Sequence, residues 1–364
     1  MEIRMKKIKV LMLGWEFPPQ MSGGLGVASQ GLSEALGNLI DLRLILPPNS
    51  SFSPYSEPYG IYGGDLIDRV RRYQETALKE SRNYQFDFIN AHDWMTFPAA
   101  LQLKRLTGKP LIVHIHSLNY DRVGPNERGW VFELERQAMS DADRVITVSE
   151  YTQSICEHRY GIDPAKIVSI HNGVPPLDST EAPRSSSEKL VLFLGRMTRQ
   201  KAPLNFLKIA DLVRREIPKV RFVMAGAGDQ LDEVISESFR LDLNELIEFP
   251  GFVDRETVNT LLAQTDVYCM PSASEPFGIS ALEAAQFGIP VVMSNRSGAA
   301  EVLTHARTAD PEDIESMAGH IIELLQDEEA HAVASTHSRE DHQPYTWDRA
   351  AKLVNEIYEQ LASK

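Results

Sequence analysis

Short apolar runs alternate with longer amphipathic stretches along nearly all of the 364-residue sequence. This alternation is the strongest constraint on the fold, because strands that alternate with helices form parallel sheets covered by helices on both faces. In the first half, apolar runs predict strands at 10–13, 42–46, 86–90, 111–115, 145–148 and 167–170. Helical periodicity predicts the intervening helices, at 25–36, 65–79, 94–106, 128–139 and 151–158.

A segment rich in Pro and Ser, residues 174–188, interrupts this pattern and is typical of a linker or surface loop. The alternation then resumes, and it predicts strands at 190–194, 221–225, 246–249, 267–270 and 290–293. The predicted helices lie at 204–215, 232–240, 256–264, 279–287, 313–325 and 347–361, while the apolar content falls over 326–342. Since a domain averages roughly 150 residues, we expect two α/β domains, at 1–173 and 189–343, and a closing segment at 344–364.

The formal net charge of −14 is concentrated in the second half. Residues 1–172 carry 19 Lys and Arg against 20 Asp and Glu, whereas residues 173–364 carry 18 against 31. This balance argues against binding to nucleic acid or to an anionic membrane surface. No apolar run is long enough to predict a membrane-spanning helix or a signal peptide. Cys156 and Cys269 lack metal-ligand spacing and fit the reducing cytoplasm.

Ligands of open parallel sheets bind beyond the carboxyl ends of the strands, so the loops after the strands are the candidate site. After the first strand, Gly23, Gly24 and Gly26 precede a predicted helix. Glycines allow close approach of the backbone, and the free N–H groups of a helix start attract phosphate. The spacing is not that of a dinucleotide fingerprint, so a tight turn explains these glycines equally well.

The loop after 190–194 contains Arg196 and Lys201, and Pro203 follows at a position suited to the first residue of a helix. A guanidinium, an ammonium and a helix start together suit a diphosphate. The alternative is a pair of solvated surface cations.

The loop after 267–270 contains Glu275 and then Phe277, Gly278 and Ile279, where a helix is predicted to begin. The N–H groups of this helix start suit phosphate or sugar oxygens. Glu275 can accept hydrogen bonds from sugar hydroxyls, or it can simply favour the helix dipole. Glu283 lies further along the helix among apolar residues, where a buried carboxylate needs a partner such as two ribose hydroxyls. The alternative for Glu283 is an exposed helix position.

Polar residues also follow two strands of the first half. His92, Asp93 and Trp94 come after the strand at 86–90, and His116 and Asp121 come after the strand at 111–115. A single histidine is more often structural than catalytic, but several polar residues at neighbouring strand ends favour a site. Metal ligation by His92, Asp93 and His116 is possible, although no ligand spacing demands it.

Three motifs then point to a family. Glu275-Pro-Phe-Gly-Ile-Ser-Ala-Leu-Glu283 resembles the paired-glutamate motif of retaining GT-B glycosyltransferases, especially family four. Gly195-Arg196-x4-Lys201 is similar to their phosphate-binding Arg and Lys, and His171-Asn-Gly-Val is similar to the end of their N-terminal domain. The resemblance covers nearly the whole chain in the right order. It implies two Rossmann-like domains facing a central cleft, with the C-terminal helix crossing back to the first domain.

The resemblance implies that the second domain binds a nucleotide-sugar donor. Arg196 and Lys201 would neutralise the diphosphate, Glu275 would hold a hydroxyl of the donor sugar, and Glu283 would hold the ribose. The helix start at 277–279 would add donor contacts, and Arg196, Lys201 and Glu275 would be catalytic. The implied reaction retains the anomeric configuration without a covalent glutamate adduct.

For the first domain, the resemblance implies that Gly23 and Gly24 pass close to the diphosphate. His116 would be catalytic, next to the transferred sugar. We expect the acceptor side to include four residues of the neighbouring loops, His92, Asp93, Trp94 and Asp121. No cofactor and no catalytic metal are expected.

The segments Gly14-Trp-Glu-Phe-Pro-Pro, Ser22-Gly-Gly-Leu-Gly and His116-Ser-Leu-Asn-Tyr-Asp-Arg resemble the glycogen-synthase-like branch. That branch implies transfer of glucose from ADP-glucose or UDP-glucose to an α-1,4-glucan. One alternative is a family-four transferase with a cell-envelope, lipid-linked or small-molecule acceptor. Alternatives from other classes are a nucleotide-sugar epimerase, a phosphorylase and a non-catalytic binding module.

Overall fold

The computed structural model describes residues 7–19, 23–47, 64–126, 128–177 and 188–363. The chain divides into two compact units. The first unit comprises the described residues up to Pro175 together with those from Tyr345 onward, and the second unit comprises those of Pro176–Pro344. Residues 178–187 of the predicted linker lie outside the described residues.

The first half of the chain forms a six-stranded parallel sheet in its described part. Its strands are β1 (Lys9–Leu13), β2 (Asp41–Ile45), β3 (Phe88–His92), β4 (Leu111–Ile115), β5 (Arg144–Thr147) and β6 (Ile167–Ser169). Its helices are α1 (Gly24–Leu39), α2 (Gly64–Ser81), α3 (Phe97–Thr107), α4 (Asn119–Val123), α5 (Trp130–Asp141) and α6 (Glu150–Tyr160). The strand order is β2-β1-β3-β4-β5-β6, so the direction of winding reverses between β1 and β3.

The second half repeats this architecture with a different strand order, β12-β11-β10-β7-β8-β9. Its parallel strands are β7 (Lys189–Leu194), β8 (Val220–Ala225), β9 (Ile247–Gly251), β10 (Val267–Met270), β11 (Val291–Ser294) and β12 (Arg307–Ala309). Its helices are α7 (Pro203–Glu216), α8 (Leu231–Arg240), α9 (Arg255–Gln264), α10 (Ile279–Gln286), α11 (Ile314–Gln326) and α12 (Glu328–His342). Here the winding reverses between β7 and β10, which are neighbours in the sheet.

Each sheet lies in its own apolar core. In the first unit β1, β3 and β4 are almost entirely buried, as strands covered on both faces must be. In the second unit β10 and β11 are fully buried, and Phe193, Phe206 and Phe222 pack together between β7, α7 and β8. The predicted α/β class with two parallel sheets is confirmed.

The last helix, α13 (Trp347–Ala362), packs on α1 of the first unit, as the fold prediction required. Gly31 of α1 makes this contact possible, because a Cβ there would lie 2.3 Å from the Trp347 indole. The Tyr358 hydroxyl accepts a hydrogen bond from Asn90 Nδ2 at 2.6 Å, and its ring stacks on Phe88. The C-terminal helix is therefore part of the first core.

The sequence did not predict α12 or the edge strand β12. In α12 only Ser338 is buried, so the apolar period that marks most helices is missing. Asp327 caps the helix by accepting hydrogen bonds from the N–H groups of Glu329 and Ala330. β12 has three residues and pairs only with β11 in the described sheet, so it carries no long apolar run.

Among the described residues, none of the helices combines the length and the apolar character that crossing a membrane requires.

Candidate functional site

The winding of the second sheet reverses at β7 and β10, and the loops after these two strands carry most of the predicted donor residues. Ligands of open α/β sheets bind at such a reversal, because the two loops diverge there and leave a crevice. The structure brings Lys201 of one loop into contact with Glu275 of the other, and Arg196 lies in the same loop as Lys201.

The loop after β7 is held in place by the loop after β8. Met197 is buried, its N–H donates to the Ala227 carbonyl at 3.0 Å, and its own carbonyl accepts from the Gln230 N–H at 2.9 Å. Two glycines allow this close approach: a Cβ on Gly226 would lie 1.9 Å from the Gly195 carbonyl oxygen, and one on Gly228 2.3 Å from that of Met197. Backbone contacts with the loop after β8 therefore position the start of this loop.

Lys201 ends a short 3-10 helix, Arg199–Lys201, directly before Pro203 at the first position of α7. Its ammonium forms an ion pair with the Glu275 carboxylate. The Lys201 side chain is 14% exposed and that of Glu275 7%, so water screens this pair little. A buried lysine of this kind needs an anionic partner, and Glu275 supplies it.

Glu275 is fixed by contacts within its own loop and with the loops after β7 and β11. Its backbone N–H donates to the Arg296 carbonyl at 2.9 Å, and its carbonyl accepts from Gly298 at 3.0 Å. Its carboxylate accepts from the Ser272 hydroxyl at 3.2 Å in addition to the ion pair with Lys201. Both the backbone and the side chain of Glu275 therefore have defined positions.

The predicted helix start at 277–279 is where α10 begins. The carbonyl of Phe277 accepts from the Ala299 N–H at 2.6 Å and from the Ser297 hydroxyl at 3.1 Å, which ties this turn to the loop after β11. Gly278 has φ +105°, a conformation that side chains rarely adopt, and a Cβ there would lie 2.9 Å from Met270 Cε. Gly278 provides no side-chain cap for α10, whose first residue is Ile279. The first N–H groups of α10 suit an anion or a sugar oxygen.

Glu283 is buried within α10 and forms an ion pair with Arg255 at the start of α9. Burial raises the pKa of the Glu283 carboxyl, and the Arg255 guanidinium acts in the opposite direction. The expected need for a partner is thus met by a residue that the sequence reading missed. Nothing in the local sequence around Arg255 reveals this pairing, because the two residues lie 28 positions apart. The ribose role of Glu283 stays a prediction.

Arg196 is half-buried in the loop after β7, with Nη2 3.5 Å from the Gln200 side-chain oxygen. Gln200 is buried, and its carbonyl accepts from the Ala273 N–H in the loop after β10 at 2.9 Å. This contact joins the two loops next to Lys201. We refer to the predicted donor residues of the second unit as the donor-side group: Arg196, Lys201, Glu275, the turn 277–279 and Glu283.

In the first unit, three buried histidines lie at the ends of β3 and β4. His92 pairs with His114 in the sheet register, and His116 follows β4. His92 Nδ1 and His116 Nε2 are 2.8 Å apart, and the two rings are inclined by only 21°. Since their centroids are 5.1 Å apart, the rings meet edge to edge through this hydrogen bond. His114 lies parallel to both rings, with centroid distances of 4.8 Å and 4.5 Å.

Burial lowers the pKa of all three histidines, and it lowers that of His116 to about 3. These rings are therefore neutral at physiological pH, and in the hydrogen-bonded pair one ring donates and the other accepts. Within the described residues, the remaining nitrogens of His92 and His116 and both nitrogens of His114 have no hydrogen-bond partner. Buried polar atoms of this kind point to a ligand or to bound water.

Within the part of the chain that the structure describes, these three histidines form the group of side chains that could hold a metal ion. One nitrogen from each ring lies within 4.8 Å of the others. Neutral imidazole is the form that binds metals. However, two of the nitrogens already meet through the contact between His92 and His116, and the His114 ring lies parallel to that pair. An ion would require these rings to turn. The expectation that no catalytic metal is needed stays a prediction.

Asp93 fixes the backbone of the loop that carries His116. Its carboxylate accepts from the N–H groups of His116 at 2.7 Å and Ser117 at 3.2 Å. Asp93 has φ 57°, an uncommon conformation for a residue with a side chain. Burial raises the pKa of Asp93 to about 6, while Arg122 lowers it.

Asp121 has a local structural contact, since its carboxylate accepts from the Leu118 N–H at 2.8 Å at the start of α4. The next residue, Arg122, forms a buried ion pair with Glu135 at 3.3 Å and donates to the Ser117 hydroxyl at 2.8 Å. Arg122 and Glu135 support the loop of His116; the sequence analysis included Arg122 in a motif without giving it a role and did not single out Glu135. Trp94 is buried beside Asp93 and meets Trp130 at 5.2 Å between ring centroids.

Gly23 and Gly24 lie where the loop after β1 enters α1, and Gly24 is the first helical residue. Gly23 makes no side-chain cap, so the start of α1 resembles that of α10 in leaving its first N–H groups uncapped by side chains. In the first sheet this helix start follows β1, next to the reversal of winding between β1 and β3. The diphosphate role of these glycines stays a prediction.

Two open parallel sheets, each with polar loops at a reversal of winding, are typical of α/β proteins whose ligands bind beyond the carboxyl ends of the strands. Comparison with known proteins makes the class specific. Residues 22–176 match the family model described as Glycosyltransferase Family 4, and residues 178–341 match the model described as Glycosyl transferases group 1. Each half of the chain thus matches a glycosyltransferase model, and the chain is a glycosyltransferase with the GT-B fold.

Full-length relatives agree with this class. The chain is 27% identical to an uncharacterized glycosyltransferase of Methanocaldococcus jannaschii, over 96% of this chain and 98% of that protein. It is 26% identical to the glycogen synthase of Mycobacterium tuberculosis, over 98% of this chain and 95% of that protein.

Solved structures agree on the fold. Sucrose-phosphate synthase from Thermosynechococcus elongatus aligns with a TM-score of 0.80 at 19% identity, over 98% of this chain and 100% of that chain. HepE from Anabaena, in complex with UDP and glucose, aligns with a TM-score of 0.75 at 19% identity over the same shares.

Proposed function

We propose that this glycosyltransferase moves glucose from ADP-glucose or UDP-glucose to an α-1,4-glucan with retention of the anomeric configuration. The observation that carries the proposal is the buried ion pair between Lys201 and Glu275 at the reversal of the second sheet. The likeness to a glycogen synthase along nearly the whole chain supports glucose as the sugar and a glucan as the acceptor. Two unpaired, buried cysteines fit a reducing compartment, and we include the cytoplasm in the proposal.

In this reaction the bond between the anomeric carbon and the diphosphate oxygen breaks, and an acceptor hydroxyl bonds to the same carbon on the same face. The acceptor proton leaves with the nucleoside diphosphate. Negative charge therefore grows on the departing diphosphate. Fixed cations and N–H dipoles in a site with little water stabilise such charge strongly. We assign that role to Arg196, Lys201 and the uncapped start of α10.

Glu275 has two roles in this proposal. It holds the Lys201 ammonium in place, and it accepts hydrogen bonds from hydroxyls of the donor sugar. We do not assign it as a nucleophile, because its carboxylate already pairs with Lys201 and Ser272. A neutral His116, with a pKa of about 3, serves as a hydrogen-bonding group for the transferred sugar and not as a cationic acid.

The test measures release of nucleoside diphosphate from ADP-glucose and UDP-glucose, with and without glycogen, in the presence of EDTA. We expect release that depends on glycogen and is unaffected by EDTA. Nuclear magnetic resonance of a maltooligosaccharide product reports the configuration of the new linkage. Stabilisation by a different nucleotide sugar, with glycogen inert, would move the acceptor to the cell envelope or to a small molecule. A donor that changes without any acceptor would indicate an epimerase.

Substitutions in the donor-side group test whether these residues carry the activity. Lys201→Ala is expected to lower kcat/KM by about a factor of 10² to 10³, the usual effect of removing one group that stabilises developing charge. Glu275→Gln keeps the side-chain shape and should also lose most of the activity. Lys208→Ala is the matched control, because Lys208 is an exposed lysine of α7, the helix that follows Lys201. Equal activity of all three variants would refute the assigned site.

A further inference from the structure

Glu283 and Arg255 meet through one hydrogen bond, although each side chain can make several. Nη1 of Arg255 donates to Oε1 of Glu283, and in the described part of the chain this is the single side-chain hydrogen bond of either residue. A guanidinium and a carboxylate often pair through two parallel hydrogen bonds instead. Here Oε2 keeps its capacity as an acceptor, and Nε and Nη2 keep their N–H donors. An unused acceptor and unused donors therefore adjoin the same contact.

Arg255 occupies a position that helix stability does not favour. It is the first residue of α9, where the positive end of the helix dipole disfavours a cation. Its side chain is 45% exposed, whereas that of Glu283 is 6% exposed. The guanidinium thus reaches a buried carboxylate from the surface, and much of the Arg255 side chain remains accessible to a ligand.

Glu283 lies one helical turn from the uncapped start of α10. Ile279 and Glu283 are four residues apart, so they share one face of the helix, separated by about 6 Å along its axis. Helical side chains point towards the N-terminal end, which brings the Glu283 carboxylate closer to the first N–H groups. The proposed function places the diphosphate at this helix start. Since the ribose of a nucleoside diphosphate is bonded to the diphosphate, it would lie within reach of Glu283 and Arg255.

We propose that Arg255 is a further donor-binding residue, which together with Glu283 binds the ribose hydroxyls of the nucleotide. The inference rests on the proposed function. A hydroxyl donates one hydrogen bond and accepts others. It can therefore donate to Oε2 of Glu283 and accept from an N–H of Arg255 while the ion pair between the two residues persists. A nucleotide that lacks this hydroxyl leaves polar groups of the site unpaired, so the pair should favour ribonucleotides over deoxyribonucleotides.

The alternative is an ion pair that only holds α9 against α10. In that case substitution of Arg255 would weaken the binding of every nucleotide by the same factor, because damage to the helices does not depend on which hydroxyls the ligand carries. A direct contact with the ribose predicts unequal factors. A comparison of ribonucleotides with deoxyribonucleotides therefore separates the two roles.

The first measurement is isothermal titration calorimetry of the full chain with ADP, UDP and their 2′-deoxy and 3′-deoxy forms, at a temperature where thermal melts show each variant folded. We expect the wild type to bind the ribonucleotide about tenfold or more tightly than the weaker deoxy form. Arg255→Ala should raise the dissociation constant of the ribonucleotide about tenfold, and that of the same deoxy form by less than about threefold. Arg240→Ala is the matched control, because Arg240 is an exposed arginine of α8 that pairs with Glu237. It should leave all of these dissociation constants unchanged.

Each other outcome counts against a specific step. Equal factors for ribonucleotide and deoxyribonucleotide in Arg255→Ala would overturn the ribose contact, and so would a wild type that binds both forms alike. In both cases nucleotide binding itself would stand. A wild type that binds none of these nucleotides would refute the proposed function and this inference together.

The second measurement is glucose transfer at varied donor concentration. Arg255→Ala should raise the KM for the donor about tenfold and keep kcat within about twofold, because a ribose contact is the same in the ground state and the transition state. Lys201→Ala should instead lower kcat, since it removes a group that stabilises the developing charge. A fall in kcat at unchanged donor KM in Arg255→Ala would overturn the assigned role.

Discussion

The buried histidines of the first unit predict a specific loss of stability in acid. His92, His114 and His116 are buried and their pKa values lie below the usual 6.5, whereas in the unfolded chain each ring titrates near 6.5. The unfolded state therefore binds more protons as the pH falls, and acid favours unfolding. A lowered pKa gives stability that is present above pH 6.5 and is lost below it.

The magnitude follows from linkage. For one histidine that stays neutral in the folded state, the free energy of unfolding falls by about 1 kcal/mol between pH 6.5 and 5.5. Three such rings give about 3 kcal/mol. Two carboxyls oppose this, because burial raises the pKa of Asp93 to about 6 and that of Glu135 to about 7. Their protonation in the folded state raises the free energy of unfolding by about 2 kcal/mol over the same pH range. The wild type should therefore lose about 1 kcal/mol of stability between pH 6.5 and 5.5.

His114→Phe isolates one ring. Phenylalanine keeps the parallel stacking on both neighbours, does not titrate, and replaces two nitrogens that have no partner in the described residues. The difference in free energy of unfolding between variant and wild type should grow by about 1 kcal/mol from pH 6.5 to 5.5. For a unit of this size that corresponds to a difference in Tm that widens by about 2–4 °C.

Differential scanning calorimetry of the full chain at pH 5.5, 6.0 and 6.5 measures this difference. Ile112→Val is the matched control, because Ile112 is buried in β4 of the same unit and neither side chain titrates. Its difference from the wild type should not change with pH. A His114→Phe curve that runs parallel to the wild type over this range would refute the reasoning, since it would mean that the buried rings take up protons without unfolding.

Two further substitutions test packing and pairing. Gly31→Ala places a methyl group 2.3 Å from the Trp347 indole and should lower the free energy of unfolding by about 1–3 kcal/mol. The control Gly37→Ala on the same helix meets nothing within 4 Å and should raise the free energy of unfolding by about 0.5–1 kcal/mol. Equal thermal melts of the two variants would contradict the packing of α13 on α1. Arg255→Ala leaves the buried Glu283 carboxylate without its ion pair and should lower the free energy of unfolding by about 1–3 kcal/mol. The double variant with Glu283→Gln should regain part of that loss in a thermal melt. Purely additive effects of the two substitutions would show that the two side chains are not coupled.

The sheets could be predicted from the sequence because their central strands are buried on both faces. Buried parallel strands are continuous apolar runs, and each of the eleven predicted strands overlaps an observed one. Boundaries were less accurate: the strand predicted at 86–90 is observed at Phe88–His92. The partner strands set this boundary, since Phe88 pairs with Val10 of β1, and a single sequence does not show that register. β12 and α12 were missed because neither carries an apolar stripe.

The donor-side group was predictable to the extent that its residues follow strands closely. Lys201 comes seven residues after the end of β7, and Glu275 comes five residues after the end of β10. Because β7 and β10 are neighbours in the sheet, the loops that follow them lie side by side. Arg255 could not be found in this way, because it lies at the start of a helix that follows a different strand, β9. Pairings of that kind depend on how helices pack over the sheet.

The pair of His92 and His116 illustrates a further limit of motif reading. The sequence places two histidines after neighbouring strands, but only the structure shows that Nδ1 of one lies 2.8 Å from Nε2 of the other. Because both rings are neutral, whichever ring donates this hydrogen bond fixes the tautomer of both. If His92 donates, His116 carries its proton on Nδ1 and presents a donor there; if His116 donates, its Nδ1 is an acceptor. His92 therefore determines which hydrogen bond His116 can offer to a sugar hydroxyl, even without contacting the sugar itself.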